Sequence, residues 1–314
     1  MAERQNRLRM DFVMKVLSFD EESGKLTFKL EPDPRRYEWT ELDGEPGLYD
    51  RLDKAFFPKK VFFESMKQME GLPIYHQPQR IENADAYIES RISQIVQRLE
   101  GNEETPRFED KSEQFLQSLE CDRLEFVIAS VDIVGSTHLA TTLPQAKYAR
   151  LIGTVLSELA EVVPKFRGHV LKYTGDGLIA YFPSPSFITM NDLALDCALT
   201  MRQLVHNAIN PLLKRMNFPV IDIRIGLDSG EAYVVTVGSS ETKKHLDVIG
   251  GIVSLACKIQ AIAKPGEICM GETTERNLHV AWRQLCEPVN CGANWSYKEP
   301  NGELYRIFRF KVTY

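Results

Sequence analysis

From residue 123 onward the apolar positions switch between two spacings. LEFVIASVDIV, residues 124–134, is a nearly unbroken apolar run and predicts a buried strand. In LPQAKYARLIGTVLSELAEVV, 143–163, apolar residues recur three and four apart, which predicts an amphipathic helix. LKYTGDGLIAYF, 171–182, reads as two strands folded over the turn Thr174-Gly175-Asp176-Gly177. A second helix is predicted over 192–209 and a third over 251–263. Between them, VIDIRIGLDSGEAYVVTVG, 220–238, reads as two strands joined at Asp228-Ser229-Gly230. EICMGETTERNL, 267–278, predicts a strand leading into a short helix, and LYRIFRFKV, 304–312, predicts a closing strand. Helices mixed with strands joined largely as hairpins imply an α+β fold, an antiparallel-rich sheet with helices packed on it.

The first third is patterned differently. KVLSFDEESGKLTFKLEP, 15–32, predicts a hairpin around Ser23-Gly24, and a short helix is predicted after Pro58. Ile88, Ile92, Ile95, Val96 and Leu99 lie at helical spacing behind Asn83, a candidate N-cap. The stretch 101–113, GNEETPRFEDKSE, is nearly devoid of apolar residues and reads as a linker. The expected division is a small α+β module with its helix and linker at 1–105 and a larger domain at 114–314. The module shows no constellation of chemically reactive residues.

Composition narrows the function. At 43% hydrophobic and 26% charged residues, the 314-residue chain has the make-up of a soluble globular protein. Its net charge of −6 argues against a general nucleic-acid binder, which needs a basic face. No apolar run is long enough to cross a bilayer, and MAERQNRLRMDFVMKV has no apolar core of a signal peptide, so no membrane association and a cytoplasmic location are expected. Cys121, Cys197, Cys257, Cys269, Cys286 and Cys291 are dispersed and form no CxxC pair. They read as thiols of a reducing compartment, not as a disulfide frame or a zinc site.

Two loop carboxylates carry the candidate chemistry. Asp132 closes an apolar strand before the small-residue loop Gly135-Ser136-Thr137, and Asp176 sits in the predicted hairpin turn. Taken singly, each has an ordinary structural reading, as a cap and as a turn residue. If their strands are neighbours, the anions repel by several kcal/mol at about 4 Å, so a cation or a proton must accompany them. Mg²⁺ characteristically takes one or two carboxylates plus substrate phosphates. The Gly-Ser-Thr loop would offer backbone N–H groups to a phosphate.

Four motifs give these residues a joint setting: VDIVGST at 131–137, KYTGDG at 172–177, RIGLDSG at 224–230, and LDVIGGIVSLACKIQAIAKPGEI at 246–268. In this order they resemble the class III nucleotidyl cyclases, the adenylate and guanylate cyclase family, over roughly half the chain. The resemblance implies a cyclase catalytic domain converting a nucleoside triphosphate to a 3′,5′-cyclic nucleotide and pyrophosphate. It implies that Asp132, Asp176 and the backbone carbonyl of Ile133 hold two Mn²⁺ or Mg²⁺ ions. It also implies a homodimer with shared sites, in which one protomer gives the aspartates and the other gives Lys172, Asp247, Ser254 and Lys258.

The chain departs from the family pattern on the catalytic helix, where Ser254 and Lys258 stand at positions usually held by Asn and Arg. Lysine keeps the charge but loses the planar fork. Lys172 and Asp247 match the adenine-reading positions of adenylate cyclases and taken literally imply ATP. The overall build resembles the stand-alone bacterial pyrimidine cyclases of anti-phage signalling, which implies UTP or CTP as substrate and a defence second messenger as product. The alternatives are an ATP-specific adenylate cyclase and a catalytically degenerate nucleotide-binding module. Lys298 lies near a familial phosphate-binding position, but its spacing departs and it is given no role.

Overall fold

The computed structural model describes residues 10–20, 25–68, 81, 83–102, 116–117, 123–183, 187–238, 244–292, 295–299 and 302–311. The chain forms two compact units, one of Met1–Gln77 with His279–Ala281, the other of Pro78–Leu278 with Trp282–Tyr314.

In the smaller unit, β1 (Phe12–Asp20) and β2 (Lys25–Pro32) form an antiparallel ribbon. The tip expected at Ser23-Gly24 lies outside the described residues. β3 (Tyr37–Leu42), β4 (Glu45–Asp50) and β5 (Ala55–Pro58) form a second antiparallel sheet, and the predicted helix follows Pro58 at Lys59–Gln68. The fully buried Arg36 holds this unit together. Its guanidinium donates to Asp11 at 2.9 Å, Asp50 at 2.8 Å and Asp53 at 2.7 Å. A buried cation is tolerated only when its donors are met in this way.

The larger unit is built on one eight-stranded sheet. Its strands are β6 (Arg123–Ile133), β7 (His169–Tyr173), β8 (Gly177–Pro183), β9 (Ile223–Val237), β10 (His245–Ile249), β11 (Ile268–Gly271), β12 (Cys286–Val289) and β13 (Ile307–Phe310). Their order is β12-β13-β11-β9-β6-β8-β7, with β10 also paired to β9, and β9–β11 is the parallel pair in an otherwise antiparallel sheet. The α+β expectation holds.

Alternation along β6 divides the core. Val127, Ala129, Val131 and Ile133 face a cluster shared with the helices Gln145–Val162 and Phe187–Leu204, while Phe126 and Ile128 face a second cluster that includes Ile252 and Ala256 of the Gly251–Ile262 helix. The Phe187–Leu204 helix continues as a π-turn, Val205–Ile209, into Asn210–Arg215. The widening falls just before Pro211, which has no N–H to extend the α-helical ladder.

Two expectations differ from the structure. Asp228-Ser229-Gly230 is not a turn, because β9 runs unbroken through it. The polar side chains that suggested a turn are buried and satisfied across the sheet: the Tyr305 hydroxyl donates to Asp228 Oδ1 at 2.5 Å, and Thr274 Oγ1 donates to Ser229 Oγ at 3.1 Å. The Ala84–Glu100 helix forms as predicted, with Asn83 Oδ1 accepting from the N–H groups of Asp85 and Ala86, but it falls in the larger unit, not with the N-terminal module. Ile88, Ile95 and Leu99 pack into that unit's core, and charge adds to the attachment. Arg91 and Arg98 bind Glu158, which is wholly buried, at 2.8 and 2.5 Å, and Arg98 also binds Glu161 at 2.8 Å. Residues 103–113 of the proposed linker lie outside the described residues.

Candidate active site

Antiparallel register brings the two carboxylates to one end of the sheet. Asp132, next to last in β6, pairs with Gly177 of β8 on one side and with Arg224 of β9 on the other. Asp176 therefore stands immediately beside it, and the Ile133 N–H donates to the Asp176 carbonyl at 3.3 Å. The turn needs Gly177, because a Cβ there would lie 2.4 Å from the Val131 carbonyl oxygen.

Each carboxylate is held through one oxygen. Asp132 Oδ2 accepts from Arg224 Nε at 3.0 Å and Nη2 at 2.8 Å, and from Gln260 Nε2 at 3.3 Å. Asp176 Oδ2 accepts from the Ser136 hydroxyl. The Oδ1 atom of each has no side-chain partner among the described residues. Arg224 brings a positive charge to Asp132. The sequence showed it inside RIGLDSG, but its role depends on cross-strand register with a residue far away in sequence.

Among the described residues, no three His, Cys, Asp or Glu side chains gather into a cluster able to hold a metal ion. The donor set at Asp132 and Asp176, two carboxylates with one oxygen each to spare, fits a hard divalent cation completed by substrate oxygens and water.

The other expected residues are placed as follows. Gly135, at φ 71°, caps the seven-residue helix Ser136–Thr142. Ser136 is buried and its hydroxyl faces Asp176, whereas Thr137 is exposed. Lys172 and Asp247 meet from β7 and β10, with Nζ 2.5 Å from Oδ2, and Asp247 Oδ1 accepts the Val248 N–H at 2.9 Å. Ser254 and Lys258 lie on the exposed side of the Gly251–Ile262 helix, away from Asp132, without a partner among the described residues. Ala256 and Gln260, on its inner side, press on β9 at Gly226, where a Cβ would fall 2.3 Å from both the Ala256 carbonyl oxygen and the Gln260 nitrogen. On the same strand, burial pushes the Asp228 carboxyl up to about 7, against the opposing pull of the Tyr305 hydroxyl and the Ser229 N–H. Sequence reading assigned no role to Arg224, Gln260 or the Asp228–Tyr305 pair.

Among the described residues, no helix is long and apolar enough to cross a membrane. Similar proteins share this part of the chain. A cytidylate cyclase of Escherichia coli is 26% identical over 156 residues, 47% of this chain and 34% of that protein. A cytidylate cyclase of Staphylococcus aureus is 27% identical over 158 residues, 48% of this chain and 36% of that protein. The chain thus spans about a third of the length of these curated relatives. The crystal structure of the adenylyl cyclase CyaB from P. aeruginosa matches with a TM-score of 0.53 at 20% identity, covering 62% of this chain and 98% of that one. That of the guanylyl cyclase Cya2 matches with a TM-score of 0.52 at 20% identity, covering 62% and 95%. At such identity the two structures speak for the fold. Residues 124–292, more than half of the chain, match the adenylate and guanylate cyclase catalytic domain, and the protein belongs to that family.

Proposed function

We propose that the protein is a nucleotidyl cyclase that converts a pyrimidine nucleoside triphosphate, CTP before UTP, to its 3′,5′-cyclic monophosphate and pyrophosphate. One observation carries the reading: Asp132 and Asp176 stand side by side at adjacent strand ends, each fixed through one oxygen, the other having no side-chain partner among the described residues, in a domain of the cyclase family. Divalent ions held by Asp132, Asp176 and the Ile133 carbonyl, Mn²⁺ or Mg²⁺, would lower the pKa of the ribose 3′-hydroxyl and neutralise the triphosphate.

The chain's own groups do the rest. Arg224 and Ser136 hold the two carboxylates in place before substrate arrives. Lys258 supplies positive charge where the α-phosphoryl oxygens gain negative charge, and Ser254 offers a hydroxyl to the ribose. Both side chains point away from the Asp132 of their own chain, which favours a homodimer in which a second copy contributes them.

The Lys172 ammonium only donates and the Asp247 carboxylate only accepts. Cytosine presents an amino donor beside a ring-nitrogen acceptor and uracil a carbonyl acceptor beside an N–H donor, so a pair of this kind can serve either base, and adenine as well. The preference for CTP is supported by the cytidylate cyclases among the relatives. The resemblance of Lys172 and Asp247 to the adenine-reading positions of adenylate cyclases makes ATP the second reading.

The experiment is to incubate the purified protein with Mn²⁺ and an equimolar mixture of CTP, UTP, ATP and GTP, and to identify the cyclic products. Cyclic CMP as the main product is expected. A dominant cyclic AMP would give the case to the second reading, and no cyclic product from any nucleotide would make the domain a non-catalytic nucleotide binder.

A further inference from the structure

Gln260 connects two parts of the candidate site that the cyclase reading treats separately. It is buried, 8% exposed, on the inner side of the Gly251–Ile262 helix, and its amide reaches the same Asp132 oxygen that Arg224 holds. The two contacts differ in kind. The Arg224 guanidinium comes from the neighbouring strand on a side chain that is one-third exposed, and it brings a positive charge. The Gln260 amide brings a donor without charge, so it orients the carboxylate without opposing a cation at the other oxygen. Its backbone is also fixed, because the helix lies directly on β9 at Gly226 with no side chain between them. Two turns of the same helix carry Ser254 and Lys258 on the opposite, exposed side.

We propose that Gln260 is a positioning residue: it fixes the Asp132 carboxylate so that Oδ1 is presented to a divalent cation, and it ties the helix bearing Ser254 and Lys258 to that carboxylate. This rests on the reading of Asp132 as a metal ligand given above. Partners that orient metal ligands characteristically contribute about 10- to 100-fold in metal affinity. The long 3.3 Å contact places Gln260 at the lower end of that range.

The test is Mn²⁺ binding to the purified, nucleotide-free protein, followed by the electron paramagnetic resonance signal of free Mn²⁺, with melting of the metal-free protein as the control for folding. Gln260→Met keeps the volume and removes the donor. Gln260→Asn keeps the amide but withdraws it by one methylene. Both should bind Mn²⁺ about 10-fold more weakly than the parent while melting close to it. Unchanged affinity in both overturns the proposal, as does a loss of affinity that appears only with an equal loss of thermal stability. Asp132→Ala separates the two readings. If it abolishes Mn²⁺ binding while the Gln260 variants bind normally, the metal site stands and the role of Gln260 falls. If the parent protein binds no Mn²⁺, both fall.

Discussion

Replacing Asp228 with Asn should remove a pH-dependent loss of stability that the unaltered protein carries. Burial raises the Asp228 carboxyl from its ordinary 3.8 to about 7 in the folded chain. Between those values the folded state holds a proton that the unfolded state has released. This contribution to stability is therefore complete below about pH 4, declines as pH rises, and is gone above about pH 7. From pH 5 to pH 8 the decline amounts to about 3 kcal/mol, at 1.36 kcal/mol per pH unit. For a unit of this size that corresponds to roughly 6–12 °C in melting temperature. Asn cannot ionise, and its amide oxygen can still accept the Tyr305 hydroxyl, so its melting profile should lack this component. The quantity to measure is the difference between the two profiles across pH, recorded by near-ultraviolet circular dichroism. Any fixed cost of seating the amide cancels in the slope, as does Asp196, another buried carboxyl raised to about 7. Parallel profiles from pH 5 to pH 8 would refute the assignment of a neutral carboxyl at Asp228.

Asp132→Ala and Asp176→Ala should each abolish cyclisation and leave the circular dichroism spectrum unchanged, since both side chains sit at the end of the sheet outside its apolar clusters; full turnover by either would exclude the two-carboxylate metal site. Mixing inactive Asp176→Ala chains with inactive Lys258→Ala chains should restore part of the activity, because one of the two sites in a mixed dimer then carries no lesion; no recovery would mean that each chain builds a complete site alone. Lys258→Arg should equal or exceed the parent in kcat, since it restores a forked donor at the α-phosphate; a large fall in kcat would show that the site is built around lysine.

Local pattern was enough to find the strands ending at Asp132 and Asp176, because apolar runs bounded by small and turn-forming residues leave few other readings. It failed where long-range partners decide the outcome. Asp228-Ser229-Gly230 has the composition of a turn, but Tyr305 and Thr274 satisfy its side chains and keep β9 continuous. Arg224 is placed beside Asp132 only by the register of β6 with β9, which local pattern does not give. The linker-like stretch 101–113 places the Ala84–Glu100 helix with the N-terminal module, but Arg91 and Arg98 tie it to the larger unit. Their carboxylate partners lie on a helix some 60 residues later and are partly or wholly buried. Lys172 and Asp247 are named from family resemblance, and their 2.5 Å pairing within one chain joins strands that are not hydrogen-bonded to each other, β7 being paired to β8 and β10 to β9.

The ion pairs beneath the Ala84–Glu100 helix bear on how such a chain can be divided and recombined. A chimera that grafts a different N-terminal unit onto the larger unit must be joined upstream of Asn83, although composition alone recommends a junction within residues 101–113. Joined at the later position, the graft would lack Arg91 and Arg98 and leave Glu158 in the interior with no counter-charge from that helix. Removing one side of a buried pair typically costs about 3–5 kcal/mol, a large fraction of the stability of a domain. The stretch that looks like the natural seam therefore lies on the wrong side of an element that the larger unit depends on.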